Sequence, residues 1–384
     1  QSGISRYDGQ QLYNSAAGTG AFIGAGRLSF VTTNGTMVSY DRTWERIHKY
    51  NLALDFGVLG NRLSGTVETY RQKNNNMLLA QTYAAVLGAA APTANIGKFE
   101  SQGWDGNINW SDKIGQVTYR LGGVLSYAKN KITDFGGNNV IGQGFNGRVQ
   151  DHPLNSIFGL VYDGRIQTEE QRLAYLDKYN VGNGIGLTSA IRLGDNMYKD
   201  VNGDGKLNTE DLTYLGTDDP QLSYSFNAGL EFKGFDFSVI FQGAGQRVTF
   251  RDDVNWRIPF RSVYLNTTNQ SIGDNWTPEN PDAHFARYST NGTINNYNYQ
   301  ASSFSVENGS YLRLKNLVFG YSLPQAFINK TKVFTRLRLY VAGSDLWESS
   351  KIKDGWDPEA TRTVSTFQRY PFNRFYTAGL QAAF

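Results

Sequence analysis

The stretch L-S-Y-S-F-N-A-G-L-E-F, from Leu222 to Phe232, sorts its side chains by parity. Leu222, Tyr224, Phe226, Ala228, Leu230 and Phe232 fall on one side, and Ser223, Ser225, Asn227, Gly229 and Glu231 on the other. Alternation this strict is the period of a β-strand with one apolar and one polar face. Lys233-Gly234 then supplies a turn, and F-D-F-S-V-I-F-Q-G returns with Phe235, Phe237, Val239 and Phe241 on one side. The two runs predict a hairpin.

The pattern recurs along the chain. Val117, Tyr119, Leu121, Leu125 and Tyr127 alternate with Thr118, Arg120, Gly122 and Ser126. Leu337, Leu339 and Val341 alternate with Arg336, Arg338 and Tyr340. Tyr376, Ala378, Leu380, Ala382 and Phe384 alternate with Thr377, Gly379, Gln381 and Ala383. Further strands are expected over about 44–58, 62–78, 95–110 and 311–321, which makes about nine or ten in an all-β chain. Many run to ten residues or more, where the soluble mean is about five or six.

Composition agrees. The 384 residues include 42 Gly, 23 Tyr and 23 Phe, and only 18% are charged. The usual charged share is about 25%, and aromatic side chains suit a pleated surface better than a helix. A net charge of +3, dispersed along the chain, gives no footprint for nucleic acid. The absence of Cys excludes disulfides and thiol chemistry, and His48, His152 and His284 lack the spacing of metal-ligand pairs. The longest apolar run, around Ala84–Ala91, is far short of the ~20 residues a membrane helix needs.

Long alternating antiparallel strands belong either to a soluble sandwich, apolar face inward, or to a transmembrane barrel, apolar face toward lipid. Three features favour the barrel. The strand lengths match the ~9–11 residues of a tilted membrane strand. Aromatics gather near strand ends, as in the girdles of barrels, and Trp104 and Trp110 flank one strand in this way. Short turns (Lys233-Gly234 and Gly57–Asn61) alternate with long polar segments (133–220 and 248–308), the pattern of outer-membrane barrels with long extracellular loops. A soluble or surface-exposed carbohydrate-binding β protein remains the alternative of another class. Dependence on detergent separates the two.

Several segments together resemble the SusC/RagA-like TonB-dependent transporters of Bacteroidetes. They are W-E-R-I-H-K-Y-N-L-A-L-D-F-G from Trp44, Y-K-D-V-N-G-D-G-K-L-N-T-E-D from Tyr198, K-G-F-D-F-S-V-I-F-Q-G from Lys233 and N-W-T-P-E-N-P-D-A from Asn275. Nearer the end come Y-L-R-L-K-N-L-V-F-G-Y-S-L-P from Tyr311, L-R-L-Y-V-A-G-S-D-L-W from Leu337 and G-W-D-P-E-A from Gly355. The likeness covers 44–384, and residues 1–43 resemble a variable loop region. The terminal T-A-G-L-Q-A-A-F is similar to the strand signal read by outer-membrane assembly machinery, with Ala382 weak at the penultimate apolar position. The resemblance implies the C-terminal part of a larger, plugged barrel, of which nine or ten strands form only a portion. It also implies a SusD-like surface lipoprotein as partner, TonB acting through a plug domain outside this sequence, and an oligosaccharide or peptide substrate. A siderophore-type receptor is the alternative within transport.

The run D-V-N-G-D-G-K-L-N-T-E-D has the spacing of a calcium loop. Asp200, Asn202 and Asp204 stand at positions 1, 3 and 5, Gly205 at 6, the Lys206 carbonyl at 7 and Asp211 at 12. Hard oxygen donors favour Ca2+ over a transition metal. The same residues are also ordinary turn formers, so a turn without an ion is the other reading. A calcium ion here would brace a long loop just before the 222–243 hairpin.

Trp256, Trp276, Tyr297 and Tyr299 share a segment with Asn255, Asn275, Asn295, Asn296 and Asn298. Aromatic faces beside amides suit sugar or peptide recognition, or the packing of the loop itself. Q-T-E-E-Q-R-L-A-Y-L-D-K-Y, from Gln167, predicts a helix of about three turns. No nucleophile elbow, phosphate-binding loop or spaced carboxylate pair points to catalysis, and a non-enzyme is expected.

Overall fold

The computed structural model describes residues 37–80, 91–137, 139–145, 147–179, 185–251, 272–352, 357–359 and 373–384, with short pieces between 10 and 33. Nine strands form one antiparallel sheet: β1 (Ile47–Val58), β2 (Leu63–Ala80), β3 (Thr93–Ile114), β4 (Val117–Asp134), β5 (Leu222–Phe232), β6 (Phe235–Gly245), β7 (Tyr311–Ser322), β8 (Arg336–Ser350) and β9 (Phe375–Ala383). Each strand pairs with the next in chain order, and β1 and β9 are the two open edges. The sheet is a meander, the connectivity of an up-and-down barrel wall.

The pairing explains the parity seen in the sequence. Phe226 lies opposite Phe241 on one side and Gly123 on the other, and Leu230 lies opposite Phe237 and Tyr119. The row continues from Phe237 to Phe319 and Val341. At the other edge Leu54, Val67, Gly106 and Leu125 form a single row. All these side chains are on one face, and that face is open: Leu52 is 74% exposed, Leu54 65% and Val341 55%. An apolar face of this extent would be costly in water, at about 25 cal/mol per Å2, and costs nothing against hydrocarbon. It is the lipid side of a transmembrane barrel portion. The opposite face is polar. Near the turns Arg120 reaches Glu231 at 3.0 Å and Arg338 reaches Asp236 at 2.8 Å.

All tight connections lie at one end. Leu59–Asn61, Gly115-Gln116 and Lys233-Gly234 join neighbours directly, and Lys233 and Gly234 both take positive φ (50° and 88°), as a two-residue hairpin turn matched to strand twist requires. The 323–335 connection adds a short helix, Gln325–Thr331, at the same end. At the other end, segments 135–221 and 246–310 are not simple loops. Strand pairs Ser156–Gly159 with Thr213–Thr217, Tyr162–Arg165 with Asn196–Tyr198, and Val248–Phe250 with Val306–Asn308 fold them into a canopy. The predicted helix forms as α1 (Glu169–Lys178), with Thr168 and Gln171 closing a capping box.

The canopy has its own hydrophobic core. Leu160, Ile166, Ile191, Tyr198 and Leu207 from the first segment meet Ile294 and Tyr297 from the second. Two features extend the sequence reading. The strand expected near 95–110 spans Thr93–Ile114, so the wall rises well beyond its apolar band. Short strands also pair within the first residues, Tyr13–Ala16 with Phe30–Thr33, in the region read as a variable loop.

Candidate functional site

Above the sheet, the 200–211 loop turns its acids onto its own backbone. Asp200 accepts from the N–H groups of Gly203 (2.6 Å) and Gly205 (2.9 Å), Asn202 from Asp204 (3.0 Å), and Asp204 from Lys206 (2.8 Å). Asp211 is wholly buried and accepts from Val201 and Asn208, both at 2.9 Å, which ties the two ends of the loop together. Gly205 at φ +78° makes the sharp turn, a backbone conformation that would strain any residue with a Cβ. Desolvation, the strongest influence on Asp200, pushes its carboxyl up, but the N–H groups of Gly205, Gly203 and Asp204, with Lys178 nearby, outweigh it and hold it below the usual range. Among the described residues, no three acidic or histidine side chains converge on one point. Each of these side chains is thus engaged by backbone N–H groups of the loop itself.

The structure buries three of the aromatic candidates inside the canopy. Trp276 is 8% exposed, Tyr299 9% and Tyr297 2%. The Trp276 indole N–H donates to Gln167 at 2.8 Å, and its ring covers Gly194. The hydroxyls of Tyr297 and Tyr175 lie 2.7 Å apart, and Tyr198 donates from its hydroxyl to the Tyr297 carbonyl at 2.9 Å. Burial pushes all three hydroxyls well above their usual range, so they stay protonated. These rings are engaged in packing the canopy. Trp256 lies outside the described residues.

A polar hub that the sequence reading missed holds the two canopy segments together. Asp195, wholly buried, accepts from Asn298 (2.8 Å), the Arg192 backbone (2.8 Å) and Arg287 (3.0 Å). Asn196 and Asn298 exchange further bonds at 2.7 and 2.9 Å. No local signal marks this pairing, because the partners lie about a hundred residues apart.

Below the canopy, on the polar face of β4 to β7, is a cavity of about 650 Å3. Ser126, Ser223, Ser225 and Gln242 line its floor, and Asp218, Asp219, Arg247, Tyr311 and Glu359 its rim. Arg247 is fixed there by Asp218 and by the Pro358 carbonyl at 2.9 Å. Deeper in the wall Arg313, 1% exposed, meets Glu348 (2.9 Å), Asp357 (2.7 Å) and Glu359 (3.1 Å). Lys315 meets Glu359 at 2.9 Å and Asp345 at 3.3 Å. The acids of G-W-D-P-E-A thus fasten residues 357–359 to the inner wall. Such a chamber can bind and orient polar molecules.

No protein-family model matches the chain. In sequence it is 28% identical over 375 residues to TonB-dependent receptor P26 of Formosa agariphila, an alignment covering 89% of this chain and 35% of that protein. It is 24% identical over 355 residues to TonB-dependent receptor SusC of Bacteroides thetaiotaomicron, covering 89% of this chain and 32% of that protein. Its fold matches the RagAB peptide importer in its open-open state with a TM-score of 0.73 at 21% identity, covering 99% of this chain and 38% of that one. The chain spans about a third of the length of the curated relatives it matches. Meander, outward apolar band and one-ended canopy define a portion of a transmembrane β-barrel. Within that class the chain is similar in sequence to TonB-dependent receptors that include SusC, and in fold to the RagAB importer.

Proposed function

We propose that the chain supplies wall, lumen lining and extracellular canopy for a TonB-dependent importer of oligomeric nutrients, glycans or peptides. Its place is the outer membrane of a Gram-negative bacterium of the Bacteroidetes. The observation that carries this reading is the open apolar face on a wall whose long segments all fold at one end over a polar chamber. A SusD-like lipoprotein would close the canopy from outside, and TonB would act through a plug contributed by parts of the transporter this chain does not cover. The test is growth of the host with the whole gene deleted. Loss of growth on one class of oligomer, with growth on its monomers intact, is expected. Undiminished growth on every oligomer, or a full-length protein that stays soluble without detergent, would refute the importer.

The same reading gives the 200–211 loop a calcium ion, held by Asp200, Asn202, Asp204, the Lys206 carbonyl and Asp211. Bound there, the ion would bridge three carboxylates, offset two of their three charges and stiffen the approach to β5. Asp204→Ala combined with Asp211→Ala should lower calcium in the purified protein from one per chain to none by elemental analysis. A double variant that keeps its calcium refutes the site.

A further inference from the structure

The outward face of the sheet changes character where β2, β3 and β4 rise above the apolar band. Thr69, Trp104 and Tyr127 share one row, Arg71, Gln102 and Lys129 the row above, and Lys73, Glu100 and Lys131 the next. Trp104 and Tyr127 stack with centroids 6.3 Å apart. Tyr50 joins from β1, opposite Arg71. A groove of about 550 Å3 runs over Tyr50, Leu52, Trp104 and Tyr127 to Arg71 and Lys129. There it meets a second cavity of about 510 Å3, which also borders Arg71 and Lys129 and extends to Glu100, Lys131 and Asp151.

The charges do not balance within this pair of cavities. Arg71 reaches Glu100 at 2.7 Å and Lys131 reaches Asp151 at 3.4 Å, and both cations stay half-exposed. Lys129 has no ion-pair partner among the described residues, which leaves one cation in excess within the cavities, and Lys73, opposite Glu100, adds a second beside them. The groove is on the outside of the wall, so the lumen and its substrate path do not account for it. An apolar slot at girdle level beneath a cluster of cations follows the order in which an anionic lipid presents its chains and its headgroup. Arg and Lys are the side chains that take a phosphate by charge-assisted hydrogen bonds.

We infer that this groove binds a phosphorylated membrane lipid, with an acyl chain along Tyr50, Trp104 and Tyr127 and the phosphate among Arg71, Lys73, Lys129 and Lys131. The inference rests on the membrane reading above. The lipid enters from the leaflet on the canopy side and holds the wall at a fixed depth.

The test uses the full-length protein in nanodiscs of phosphatidylcholine with 20% phosphatidylglycerol, or of phosphatidylcholine alone. Native mass spectrometry of the released protein is expected to show phosphatidylglycerol retained in preference. Arg71→Gln with Lys129→Gln should lower that preference about thirtyfold, whereas Arg120→Gln on the inner face leaves it unchanged. Tryptophan quenching of the wild-type protein by brominated phosphatidylglycerol, compared with brominated phosphatidylcholine, reads the same preference without relying on a variant that folds. Equal retention by wild type and double variant, equal quenching by the two lipids, or release of the lipid by millimolar inorganic phosphate would each overturn the lipid assignment. A protein that needs no detergent at all would instead refute the membrane reading.

Discussion

Arg313→Met should lower the stability of the folded wall by about 3–5 kcal/mol, the cost of removing one partner from a buried charge cluster. The side chain is 1% exposed and is shared among Glu348, Asp357 and Glu359. Without it, Lys315 is the one cation among the described residues still paired to any of these acids, and it already serves Glu359 and Asp345. The methionine fills the volume, so the loss is electrostatic rather than a cavity. Because Asp357 and Glu359 lie on the 351–374 connection, that segment should come away from the wall first. Hydrogen exchange in detergent will show protection lost around 357–359 before the strands open. Arg313→Lys should recover only part of it, since a point charge cannot fork toward three carboxylates. Unchanged exchange in both variants would mean that the cluster adds nothing.

Gly194→Ala is expected to disrupt the canopy while leaving the sheet intact. Gly194 has φ +82°, and an added Cβ would lie 2.2 Å from the Trp276 ring and 3.0 Å from the Arg287 side chain. The ring cannot swing aside, because it is buried and tethered to Gln167. Left-handed strain of about 1–2 kcal/mol adds to an overpacking cost of about 1–3 kcal/mol. Asp195 is the next residue, so any backbone shift also breaks its bonds to Asn298 and Arg287. Rapid proteolysis within 185–221, a red-shifted tryptophan emission and an unchanged far-UV β signal are the expected results. A canopy as protease-resistant as wild type would contradict the packing described here.

The wall was legible because lipid on one side and a polar lumen on the other impose a period of two on every strand. Leu222 to Phe232 and Lys233-Gly234 are read correctly without help from anything distant. The upper reaches of β2 to β4 were harder. Arg71, Lys73, Lys129 and Lys131 lie above the band, where the outward face is polar as well and alternation fades. The canopy was least legible. Ile166 and Leu207 stand singly among polar residues, and their partners Ile294 and Tyr297 lie far along the chain. Tyr297 and Tyr299, in an Asn-rich run, suit either ligand recognition or packing of the loop as far as the sequence goes, and only the fold reveals how deeply they are buried. The chamber carries no local signature either, because Asp218 and Glu359 meet its rim from segments with nothing in common.

The height of the wall has one more effect. β2 and β4 each span 18 residues, about 60 Å along the strand and about 45 Å upright at the usual tilt. The apolar band of such barrels is about 25 Å tall, so about 20 Å of wall stands clear of it. Fields of exposed charges fade within about 8 Å at physiological salt. A molecule arriving at the top therefore meets the potential of the canopy and hardly any from the lipid surface below. Changing the charge of the surrounding membrane should leave its arrival rate untouched, and ionic strength should alter that rate only through the canopy's own side chains.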